Sequence, residues 1–144
     1  NIHPATDGED FQFNMSIDSG SNYNVTKTST YPYAYNSYAI SGLAGLDYVA
    51  DFDLAQSTSD QILTNNIGND NDQSAVGTLH LFNPSSTTFV KHFMANVNTY
   101  HGANQTVNSY AAGYANTTSA VNAVIFRMVT GNIDAGDICL YGIA

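Results

Sequence analysis

Phe11, Phe13, Met15 and Ile17 alternate with Gln12, Asn14, Ser16 and Asp18. Successive strand side chains point to opposite faces, so this pattern predicts a strand with one face in a core. Ser19-Gly20-Ser21-Asn22 ends it in a turn whose glycine can take positive φ. Tyr31, Tyr33 and Tyr35 alternate next, with Pro32 between the first two. A proline has no amide hydrogen to give the ladder, which predicts an edge strand or the approach to one. Leu46 to Ala55 predicts a further strand whose second half can turn helical. Residues 56–77 hold Ser57-Thr58-Ser59, Gly68-Asn69-Asp70-Asn71-Asp72 and Gly77, and predict a long surface excursion.

Beyond it the signals sharpen. Thr78 to Phe82 predicts a short strand and Asn83-Pro84-Ser85-Ser86 a turn in which proline sets φ. The next strand runs from Phe89 to Val97, with Phe89, Phe93, Ala95 and Val97 on one side and Val90, His92 and Met94 on the other. Two partly apolar faces place it centrally in a sheet. Residues 106–115 and 121–129 repeat the theme on either side of Asn116-Thr117-Thr118-Ser119, and Gly131 and Gly136 bracket the last turn before a strand over Ile138 to Ile143. Strands at intervals of roughly ten residues, with Gly, Asn and Pro turns, predict one all-β domain: an antiparallel β-sandwich, jelly-roll-like, over residues 1–144.

Composition narrows the function classes. Ten Tyr and seven Phe among 144 residues supply a core, while charged residues make up only 10%. Polarity therefore comes from Asn, Ser and Thr, a surface suited to close-packed assemblies. Twelve acidic residues against three basic ones give a net charge of −9. Lys27, Lys91 and Arg127 are too scattered to neutralise phosphates, which argues against nucleic acid and against an anionic membrane surface. Cys139, between Ile138 and Leu140, predicts a buried, inert thiol.

No motif nominates catalysis or a cofactor. His3, His80, His92 and His101 lack the paired spacing that holds a transition metal, and those in strands predict hydrogen-bonded structural roles. Asp70 and Asp72 are weak calcium candidates, since the segment lacks the ligand series and final Glu of an EF-hand loop. Asp47, Asp51 and Asp53 form a similar acidic group, and a glycosidase pair across a cleft cannot be read from spacing. The recognition candidates are Tyr23, Tyr31, Tyr33, Tyr35, Tyr38 and Tyr48, because a phenol joins an apolar face to a polar tip and suits either sugar stacking or an interface. The alternative is that alternate rings face the core and the rest pair across strands.

Several stretches carry a family resemblance: Ile2-His3-Pro4-Ala5-Thr6-Asp7, Asp18-Ser19-Gly20-Ser21-Asn22-Tyr23, Asp53-Leu54-Ala55-Gln56-Ser57-Thr58, Gly68-Asn69-Asp70, and the turn-and-strand units at 82–93, 113–121 and 131–143. Together they resemble a family of uncharacterised virion structural proteins of marine tailed bacteriophages. The resemblance implies a noncatalytic β-sandwich module on the outer surface of head or tail, as capsid decoration or as a tail-fibre component. Its partners would be other virion proteins, with a trimer or higher homo-oligomer expected by analogy. A receptor- or glycan-binding fibre tip meeting a host surface glycan is the first alternative, and a polysaccharide depolymerase the second. The family carries further aromatic strand sequence before Ile-His-Pro, so a start at Asn1 reads as a processed product or part of a longer polypeptide.

Overall fold

The computed structural model describes residues 1–143. Its early strands are β1 (Ile2–Pro4), β2 (Phe11–Ser16), β3 (Lys27–Thr30), β4 (Pro32–Ser37), β5 (Ala44–Tyr48) and β6 (Gln61–Ile62). The later ones are β7 (Ala75–Leu81), β8 (Lys91–His101), β9 (Gln105–Ala115), β10 (Ala123–Met128) and β11 (Ile133–Gly136). They form an eight-stranded sheet in the order β11-β1-β7-β8-β9-β4-β5, with β3 also paired to β9, and a three-stranded sheet in the order β10-β2-β6. The two antiparallel sheets pack face to face as a β-sandwich.

The β8–β9 hairpin is its spine. Each strand is 11 residues long, and Gly102-Ala103-Asn104 joins them with Asn104 at φ 60°. The Asn104 amide donates to the His101 carbonyl at 2.9 Å, as a three-residue hairpin loop requires. Along β8 the inward residues Lys91, Phe93, Ala95, Val97 and Thr99 are buried, while His92, Met94, Asn96 and Asn98 are exposed. Phe93 meets Phe13 of the small sheet edge-on, ring centroids 5.2 Å apart. Opposite Phe93 in β9 stands Gly113, where an added Cβ would lie 2.8 Å from the Phe93 ring, so the missing side chain makes room for the aromatic one.

Polar groups cross the sandwich as well. The fully buried Lys27 of the large sheet donates from Nζ to Asn14 Oδ1 of the small sheet at 2.6 Å. Lys91, also fully buried, donates to the backbone carbonyls of Phe89 at 3.0 Å and Thr117 at 3.1 Å. Arg127 is bound to Asp60 at 2.5 Å. All three basic residues are thereby engaged in the fold, and the remaining surface charge is acidic.

Four expectations need correction. β4 is internal, between β9 and β5, and Pro32 is accommodated as its first residue, where a ladder bond is most readily forgone. Residues 56–77 do more than run over the surface: they supply β6 and the buried Gln61, Leu63, Thr64 and Ile67. Their polar composition masks a short edge strand of the small sheet. The last strand is Ile133–Gly136, paired with β1, and Ile138 to Ile143 is irregular and open, with Leu140 92% exposed. Cys139 accordingly is exposed instead of buried, because the apolar run around it packs under nothing.

Candidate functional site

Tyr31, Tyr33 and Tyr35 share one side by strand period, yet meet different surroundings, because three strands cannot cover eight. Tyr31 is fully buried and edge-on to Phe52, with ring centroids 5.1 Å apart. It is a core residue, which removes it from the contact candidates. Tyr33 and Tyr35 are half-buried, 5.7 Å apart with their planes inclined by 43°. They wall a cleft of about 380 Å³ together with Leu43, Asp47, Asn65, Asn66, His101, Gln105 and Val107.

The chemistry of the cleft is aromatic and mostly neutral. Burial raises the Tyr33 phenol, and the Asp47 carboxylate and the Tyr35 phenol add to the shift, so Tyr33 remains a hydrogen-bond donor at neutral pH. Burial lowers His101, only partly opposed by Asp7. Its Nδ1 accepts the Ala103 amide at 2.9 Å, which leaves the proton of the neutral ring on Nε2. The Asn65–Asn66 wall is held from behind: the Asn66 amide donates to Asp10 Oδ1 at 2.6 Å, and Asn66 Nδ2 donates to Asn65 Oδ1 at 3.0 Å. Sequence periodicity found the two tyrosines. It missed Asn65, Asn66, His101 and Gln105, which reach the cleft from loops and a hairpin end and have no local signature.

The other tyrosine candidates disperse. Tyr38 is 73% exposed; its hydroxyl hydrogen-bonds Tyr100 Oη at 2.7 Å and donates to Asn104 Oδ1 at 3.0 Å, beside a depression of about 220 Å³. Tyr48 is exposed and donates to the Asp53 carboxylate. Tyr23 is half-buried against the Gly20 turn. Asp70 and Asp72 are exposed, and the Asp70 carbonyl accepts the Gln73 amide at 2.8 Å in a local turn. Among the described residues, no three His, Cys, Asp or Glu side chains gather to hold a metal ion. No helix among them is long and apolar enough to cross a membrane.

A second surface is the outer face of the large sheet. Its outward positions are Val76, Thr78 and His80 on β7, His92, Met94, Asn96 and Asn98 on β8, and Thr106, Asn108, Tyr110, Ala112 and Tyr114 on β9. Ala34 and Asn36 on β4 and Leu46 on β5 continue it. None of these is Asp, Glu, Lys or Arg. Met94 is 56% and Leu46 72% exposed. His80 and His92 were expected to be bonded within the fold, and both instead stand exposed here, beside Phe82 and Tyr114 with ring centroids 6.2 Å apart in each pair.

Fold and surfaces thus define a class: an all-β sandwich whose large sheet is free of charged residues on the outward side of its central strands, with a tyrosine-walled cleft. No protein-family model, curated protein or solved structure matches the chain.

Proposed function

We propose that the chain is a noncatalytic, jelly-roll-type structural module of a tailed-phage virion, carried on the outer surface of head or tail and packed against other subunits. The observation that carries this reading is the outer face of the large sheet. A chain with net charge −9 has placed no carboxylate on the outward positions of β7, β8, β9 and β4, the centre of its broadest face, and apolar, aromatic, amide and hydroxyl groups there suit a subunit interface. The family resemblance supplies the virion setting. Light scattering tests the interface: the chain is expected to form a trimer or larger assembly, and Met94→Glu to reduce it to monomers with an unchanged circular dichroism spectrum. A monomeric chain that fails to join any particle, as seen by electron microscopy, would reject the reading.

A second reading, glycan binding, is favoured by the Tyr33–Tyr35 cleft, which joins ring faces to convergent amides. A glycan array is its test, with binding lost in Tyr35→Ala. Glycoside hydrolysis uses two carboxylates across a cleft. Asp47 is the one acid among the described residues on this wall, which supports binding over turnover.

A further inference from the structure

Lys27, Asn14 and Asp60 form a hydrogen-bonded chain that links the two sheets. Lys27 Nζ touches Asn14 Oδ1 at 2.6 Å, the oxygen carried by the carboxamide carbon Cγ. Asn14 Nδ2 donates to Asp60 Oδ1 at 2.8 Å and to the Thr58 carbonyl at 3.1 Å. The Met15 amide donates to Asn14 Oδ1 at 2.8 Å, which fixes which end of the carboxamide is oxygen. Arg127 holds the second Asp60 oxygen. Lys27 and Asn14 are both fully buried, and the Asp60 side chain is 7% exposed.

We propose that this set is a self-modification site that joins Lys27 to Asn14 by an intramolecular isopeptide bond, with release of ammonia. An amine, a carboxamide and a carboxylate are the three groups that amide exchange needs; here the amine and the carboxylate each hold one end of the same carboxamide, and that fixed placement makes the reaction unimolecular. The step balances without any co-reactant. The lone pair of the neutral Lys27 amine attacks Asn14 Cγ and forms the new C–N bond, while the carbonyl π pair moves onto Oδ1. The Met15 amide faces that oxygen, as an oxyanion donor must. Once bonded to Cγ, Nζ stands next to the Nδ2 that Asp60 already holds; one proton then passes from Nζ to Nδ2 by way of Asp60, the Cγ–Nδ2 bond breaks, and its electron pair leaves on ammonia as the carbonyl re-forms. Asp60 ends as it began, a carboxylate.

The surroundings set both groups for these roles. Burial lowers Lys27 to about 8, although the Asp60 charge opposes it, so a substantial neutral fraction exists in mildly alkaline solution. Two acceptors, Asn14 Oδ1 and the Val25 carbonyl at 2.7 Å, take hydrogen bonds from Nζ, the donor count of a neutral amine. Burial pushes Asp60 up, but hydrogen bonds from Arg127 and Asn14 and the charges of Arg127 and Lys27 outweigh it and keep the group ionised. The link would tie β3 of one sheet to β2 of the other and make the sandwich one covalent unit. It stands independently of the virion reading.

Lys91 is the internal control: equally buried, its amine meets the carbonyls of Phe89 and Thr117 and no carboxamide. The test is intact mass spectrometry of the whole chain, followed by denaturation, amine labelling and tryptic digestion. The expected mass is one ammonia below that of the sequence, with Lys27 neither labelled nor cleaved, Lys91 both labelled and cleaved when assayed separately, and Lys27 and Asn14 joined in the fragment spectrum. Full mass with Lys27 behaving like Lys91 overturns the proposal. So does a lost ammonia with Lys27 still reactive, since that marks a succinimide. Lys27→Met and the isosteric Asp60→Asn, each with a circular dichroism spectrum like that of the parent, are expected to keep the full mass; ammonia loss in Lys27→Met overturns the link, and complete linkage in Asp60→Asn overturns the part given to Asp60.

Discussion

Lys27 of β3 and Lys91 of β8 lie in register with the same residue, Ala115 of β9, one on each side of it. Both amines are fully buried on the inner face. Their partners differ, because Lys27 reaches the facing sheet and Lys91 turns back to the backbone at the ends of its own hairpin. One row of the large sheet therefore uses two of the chain's three basic residues to hold the sandwich together.

Lys91→Ala is expected to lower stability by about 2–4 kcal/mol in urea unfolding, through an unfilled buried space and two part-buried carbonyls without a donor. A change within experimental error would show that the amine does not hold Phe89 and Thr117 together.

Asp10 sets an acid-side dependence. Burial raises its carboxyl to about 6, against the lowering effect of the Asn66 amide and with a further raise from Glu9. Between the unfolded value of 3.8 and about 6 the folded chain keeps a proton that the unfolded chain has released, so this contribution falls as pH rises through that window. Asp10→Asn keeps an oxygen for the Asn66 amide and removes the buried charge. Its expected gain is about 1–2 kcal/mol at neutral pH and nothing in strong acid, read from urea unfolding at both. A gain that does not vary with pH would contradict this assignment.

The phenols should titrate unevenly. Burial pushes Tyr31 above the ordinary range, and Tyr100 is pushed up to about 12, first by its hydrogen bond with Tyr38. An ultraviolet titration of the folded protein should leave both un-ionised when ordinary phenols are gone, and Tyr38→Phe should bring Tyr100 down. Above the ordinary phenol range the unfolded chain loses the Tyr31 proton first, so stability falls as pH rises there.

Cys139 should react with a thiol reagent in the folded protein as fast as in urea, since it is exposed. Protection that vanishes only on unfolding would show that the Ile138–Ile143 segment packs on the domain.

Much of the fold is legible locally. The alternation over the β8–β9 hairpin predicts both the strands and their buried faces, because strand sidedness is a property of the chain itself; over Phe11 to Ser16 it predicts the strand and its apolar face, but Asn14 and Ser16 on the polar side are buried as well. The same rule fails at Ile138 to Ile143, where an alternating apolar pattern finds no sheet to join. It also misses β6, since Gln61 is polar and is buried by what lies over it.

The sequence alone determined the all-β class, the acidic balance and the shared side of Tyr31, Tyr33 and Tyr35. Only the tertiary structure decided that Tyr31 is buried against Phe52 while Tyr33 and Tyr35 wall a cleft. It alone also brought Lys27 onto Asn14, 13 positions away along the chain and in the opposite sheet. The reason is physical: the face a side chain takes follows from neighbouring backbone angles, whereas what covers that face depends on strands far away in sequence.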